Sequence, residues 1–192
     1  MTALAKYFGI TTAVLALAVS AAAKDIPQST TDHQSLSPAI AELQSHLDAK
    51  TAKVGDVVTA KLTDSVQVAG VELRRNTLLV GHVVEVEPSE NNGASKIILT
   101  FDKAQPKNGQ PIAVKATIVG IYPNGFVVGL PDLNPGLKVQ QEDSGVHGTS
   151  LTSDVQSDTS GVLSGNRNVH LAYGTEFQFA LAPAAVAATT GN

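Results

Sequence analysis

The chain has 192 residues, enough for a domain with a real core, and no Cys, which excludes disulfides and thiolate metal sites. Its net charge is −4, from 13 basic and 17 acidic residues without a basic stripe, so nucleic acid is a poor partner. Charged residues make up only 16%, below the usual quarter, while small residues abound, as suits a small-residue β-protein.

Residues 1–23 have the pattern of a secretory signal peptide. Lys6 supplies the positive start, residues 7–19 an apolar run, and Ala21, Ala22 and Ala23 the small-residue cleavage site, leaving Lys24 as the new N-terminus. An uncleaved anchor is the alternative, but a mostly apolar run of 13 residues is short for a bilayer span of about 20. The expected location is periplasmic or extracellular, with no stable membrane span after cleavage. Residues 24–36 read as a flexible polar leader. Ser37-Pro38 has the form of a helix start, and Ile40, Leu43 and Leu47 share one helical face, so a short helix is expected over 37–50.

From 53 to 87 the pattern is β. Val58, Ala60 and Leu62 alternate with Val57, Thr59 and Lys61, the period of a half-buried strand. Leu78, Val80, His82 and Val84 alternate with Leu79, Gly81 and Val83, apolar on both faces as in a central strand. Asn76 tolerates a positive φ and marks the turn before it. Ile97, Leu99 and Phe101 then form an inward set, as do Ile112, Val114, Ala116 and Ile118, with turn signals at Asn92-Gly93, Asn108-Gly109 and Asn124-Gly125. Residues 131–165 are rich in Gly, Ser, Asp and Thr and read as a long mobile excursion with at most short strands. Val169 and Leu171 suggest one short strand, and Phe177, Phe179 and Leu181 the last. Residues 183–192 read as a disordered Ala/Thr tail. The expected fold is all-β: a small antiparallel barrel or sandwich over 53–182, with one short N-terminal helix. Leu73-Arg74-Arg75-Asn76-Thr77 and Leu171-Ala172-Tyr173-Gly174-Thr175 both read Leu-x-x-[Asn/Gly]-Thr ahead of a strand, either a reused turn or a trace of duplication.

The order of these motifs resembles the β-barrel domain of TrbI-like proteins, the inner-to-outer-membrane scaffold of type IV secretion and conjugation machines. The matching residues are Gly55, Asp56, Val58, Ala60 and Leu62; Leu73, Thr77, Leu79 and Gly81; Asn108, Gly109, Ile112 and Val114; and Gly174, Thr175 and Phe177. They span residues 53–121 and 169–181. Arg75-Asn76 departs from the family's basic-Gly pair. The family's long linker and helical hairpin have no counterpart, and a signal segment replaces its inner-membrane anchor. The resemblance therefore implies a free-standing exported barrel, not a secretion channel.

No catalytic constellation stands out. Gly-x-Ser-x-Gly and Gly-rich phosphate loops are absent, and no carboxylate pair is placed for glycoside chemistry. Asp143, Asp154 and Asp158 lack the calcium-loop pattern. His33, His46, His82, His147 and His170 show no metal-ligand spacing, so neither a metal nor a cofactor is expected. His33 and His147 fall in segments expected to be flexible, His46 at the edge of the helical stripe, and His170 toward solvent. His82 is the candidate functional residue, weighed against a core or rim histidine bonded to a carbonyl. Six aromatics beyond the signal segment are too few for the girdles of an outer-membrane barrel. The expected function is an exported non-enzymatic envelope module, structural or protein-binding, with an envelope protein or cell-wall component as partner. The alternative is an exported ligand-binding domain or hydrolase with its site in the barrel mouth and residues 131–165 as lid.

Overall fold

The computed structural model describes residues 35–90, 93–126 and 129–184. The segment read as a signal peptide, all but the end of the expected leader, and residues 185–192 lie outside them. The described residues are all-β. Six strands close a barrel: β1 (Ser37–Leu43), β3 (Val57–Leu62), β6 (Leu78–Glu87), β7 (Ser95–Gln105), β8 (Ile112–Tyr122) and β13 (Glu176–Pro183). Their order around the wall is β6-β3-β1-β13-β8-β7, every neighbour antiparallel, and β6 pairing with β7 shuts the ring. Closure leaves none of these six as a free sheet edge.

The expected helix over 37–50 is not present. Residues 37–43 are β1, set between β13 and β3. Ile40, Leu43 and Leu47 do have helical spacing, but the buried set is Ala39, Ala41 and Leu43, at a period of two. Two small alanines carry the inward face, and a slot between two strands overrides the local preference. Pro38 lies in the part of β1 flanked by β13 alone, where a missing donor is tolerated.

Other inward sets match the alternation. Val58, Ala60 and Leu62 are buried, as are Ile97, Leu99 and Phe101, and Phe177, Phe179 and Leu181. At the centre the rings of Phe101, Phe177 and Phe179 meet edge to face, with centroids 5.2 to 6.2 Å apart. Leu43, Leu62, Leu79, Leu99 and Ile118, all wholly buried, pack the same interior. Gly81 is dictated by this packing: a Cβ there would stand 2.1 Å from the Thr100 carbonyl oxygen and 2.8 Å from the Phe101 ring.

One turn is used three times. Before β3, β6 and β13 stand Lys53–Asp56, Arg74–Thr77 and Ala172–Thr175. Each carries its third residue at positive φ: Gly55 at 90°, Asn76 at 67°, Gly174 at 80°. In each, the third residue's N–H donates to the carbonyl of one buried residue on a neighbouring strand, and the fourth residue's carbonyl accepts that residue's N–H. The partners are Val83, Leu62 and Leu43. The turn thus welds the start of one strand to its neighbour, at the strand's end for Leu62 and Leu43 and at mid-strand for Val83.

Residues 131–165, expected as a mobile excursion, hold three strands: β9 (Lys138–Gln141), β10 (Thr149–Asp154) and β11 (Gly161–Gly165). They extend the sheet because β7 forks. Its second half pairs with β8 through Phe101, Lys103 and Ala104, and its first half, from Ser95 to Leu99, pairs with β11. The edge of β8 that faces away from β13 would otherwise lack partners beyond the fork. Ser160 closes the gap. Its N–H donates to Leu99, its carbonyl accepts from Ile118 at 2.8 Å, and its hydroxyl oxygen accepts from the Phe101 N–H at 2.6 Å. Ser153 donates to the Ile118 carbonyl, and the Gln141 amide pairs with both the N–H and the carbonyl of Ile121. Four short strands complete the described fold: the hairpin β4 (Val66–Val68) and β5 (Val71–Leu73), and the ribbon of β2 (Leu47–Asp48) with β12 (His170–Leu171).

Ser160 is 3% exposed, so removing its hydroxyl strands a buried N–H at the fork. Ser160→Ala is expected to lower unfolding free energy by about 1–3 kcal/mol in urea titrations, with an unchanged slope.

Candidate functional site

The β2–β12 ribbon seals one end of the barrel. Leu47 and Leu171 point inward and are buried, so their neighbours His46, Asp48 and His170 point outward. Asp48 and His170 stand opposite each other in register. The His170 Nδ1 lies 3.0 Å from the Asp48 Oδ2. The other carboxylate oxygen, Oδ1, accepts the Lys50 N–H at 2.7 Å. That backbone donor is the main cause holding the Asp48 carboxyl below its ordinary value; partial burial opposes it, and His170 adds to it.

His147 reaches the same place from the loop between β9 and β10. Asp143, Gly145, His147 and Gly148 all have positive φ, an unusual run that turns the chain tightly. Val146, buried in the core cluster, pins the loop beside His147. His147 itself sits at φ 52°, a conformation a non-glycine residue adopts at a cost of about 1–2 kcal/mol.

Three histidines from distant parts of the chain therefore meet. The His46 and His170 rings lie nearly parallel with centroids 6.1 Å apart. His147 meets His170 edge-on at 5.6 Å. His170 is the hub, oriented by Asp48. His46 and His147 are exposed and make no hydrogen bond among the described residues. As they stand, no three His, Asp or Glu side chains among the described residues are placed to hold a metal ion together. Beside the cluster runs an open groove of about 530 Å³, lined by His147, Gly148, Asn166, Arg167, Asn168 and His170. Its lining is rich in hydrogen-bond donors and contains no carboxylate.

His82, the residue singled out by the sequence, lies elsewhere. It is half-buried on the outer face of β6, opposite Val57 and Thr100, while Leu79, Gly81 and Val83 form the inward face. Its side chain makes no hydrogen bond or ring contact among the described residues. His46 lies on the connection between β1 and β2, not on a helix, and His33 is outside the described residues. His170 does not simply face solvent, and His147 belongs to a tightly bonded loop. Spacing within the sequence could not have grouped residues 46, 147 and 170, because β2–β12 pairing and the fork of β7 bring them together. The one available signal was the second Leu-x-x-[Asn/Gly]-Thr turn, which bonds to Leu43 and so places His170 near His46.

Comparison with family models, curated proteins and solved structures finds no match for this chain.

The lowered Asp48 carboxyl contributes stability that is complete above its unfolded value of 3.8 and is lost as pH falls from there through the folded value. Asp48→Asn is expected to flatten the fall in unfolding free energy below about pH 4. Urea titrations at a series of acid pH values check this; an acid limb identical to that of the parent protein would contradict it.

Proposed function

We propose that the protein is an exported, non-enzymatic β-barrel module of the cell envelope, and that it binds its partner through the outer surface where His46, His147 and His170 meet. The observation that carries this reading is the barrel interior. Phe101, Phe177 and Phe179 interlock at its centre, so no ligand-sized space is offered between them. A domain whose inside is solid works through its outside. The end sealed by β2 and β12 gathers the exposed imidazoles, the Arg167 guanidinium and a donor-rich groove, features that suit recognition of a polar or anionic surface. The signal pattern of residues 1–23 supports export, and the resemblance to TrbI-like barrels supports the envelope as the setting. A channel role is not part of the proposal.

The second reading, a ligand-binding domain, draws on the same groove: its guanidinium and imidazoles suit a small anion. It requires a site on the outer surface, where the groove lies, and not inside the barrel mouth.

A photo-crosslinking residue at Asn166, in chains expressed with residues 1–23 present, tests both export and binding. The expected outcome is a periplasmic product starting at Lys24, crosslinked to one envelope component. A crosslinker at Lys107, past the opposite end of β7, is expected to give no such adduct. Retention in the cytoplasm, or equal crosslinking from both positions, would overturn the proposal.

A further inference from the structure

We propose that His46, His147 and His170 form a binding site for a divalent transition-metal ion of the zinc, copper or nickel class, with Asp48 as the positioning residue for His170. This deepens the reading of this end of the barrel as the binding face and rests on it.

The spacing of the rings is the first argument. Two imidazoles bound at about 2.1 Å to one tetrahedral ion have ring centres about 5 Å apart. The observed separations from His170 are 5.6 and 6.1 Å. The rings are therefore close to ligating distance but not turned toward a common point. Turning them is cheap. His46 and His147 are exposed, break no hydrogen bond among the described residues on rotating, and sit on loops.

The second argument is the Asp48–His170 pair. A carboxylate bonded to Nδ1 keeps the proton on that nitrogen and presents Nε2 as a lone-pair donor. Metal-binding histidines almost always carry such a partner on the other ring nitrogen. Asp48 is itself held in place by the Lys50 N–H, so the hub imidazole is oriented before any ion arrives. The third argument is chemical type. Three neutral nitrogen donors suit zinc, copper or nickel and not calcium or magnesium, which take oxygen. Three protein ligands leave a fourth position open, and the groove lined by Arg167 adjoins it, so a small anion or an acidic group of a partner could complete the shell.

Isothermal titration of the mature chain with zinc chloride and, separately, nickel chloride tests the site. One equivalent is expected to bind, and His147→Asn and His170→Asn are each expected to weaken it at least about tenfold. Asp48→Asn is expected to weaken binding by about 10- to 100-fold, with His82→Ala unchanged. Bound cobalt is expected to show the visible spectrum of nitrogen coordination, altered in His147→Asn. Since His147 is exposed, that variant is expected to keep the parent's metal-free melting temperature, which separates lost ligation from lost fold. The absence of saturable binding, or affinity indifferent to both His147→Asn and His170→Asn, would overturn the metal site. If Asn166 still crosslinks its partner in such a protein, the metal alone fails; if the crosslink is also missing, the binding-face reading fails with it.

Discussion

The fork in β7 governs this structure. One strand must serve β8 along its second half and β11 along its first, and the edge of β8 facing away from β13 would be left without partners beyond the parting. An unpaired buried N–H or carbonyl costs on the order of 1–3 kcal/mol, and several stand together here. Ser160 removes the deficit by bonding with backbone and hydroxyl at once, and Ser153 and Gln141 continue along the edge of β8. The consequence reaches beyond the fork. With β11, β10 and β9 fixed to the barrel, the loop carrying His147 is fixed as well, and so is the neighbourhood of His170.

The barrel strands were legible because their side chains alternate. Val58, Ala60 and Leu62, or Phe177, Phe179 and Leu181, announce an inward face by period alone, and Gly55, Asn76 and Gly174 announce the turns. The first strand was not legible. Ala39 and Ala41 are too small to stand out as an apolar face, and Ser37-Pro38 has the form of a helix start. Residues 131–165 misled for a related reason. Ser, Thr and Gln normally suggest a loop, but here the polar side chains of Gln141, Ser153 and Ser160 are the partners of the neighbouring strand. Composition does not distinguish a polar residue that bonds to a neighbouring strand from one that is solvated.

The histidine cluster was illegible for a topological reason. His46, His147 and His170 lie 101 and 23 residues apart in sequence order, and only strand pairing unites them. The emphasis on His82 came from its alternation with valines, which is real, but the face it shares with Val80 and Val84 looks out from the barrel. The barrel therefore divides its work in space. Aromatic and aliphatic packing fills the inside and provides the stability, and the chemically versatile side chains collect on the capped end, where Asp48 orients His170.

The central claim is that the insert β9–β11 is a permanent part of the wall and so holds the cluster together. Native-state amide hydrogen exchange tests it most directly. The amides of Phe101, Ile118 and Ile121, whose acceptors lie on Ser160 and Gln141, are expected to exchange only by global unfolding, as slowly as the barrel amide of Leu62. Exchange of those three at the rate of an open loop, with Leu62 still protected, would show that the insert detaches from an intact barrel, and would contradict the claim.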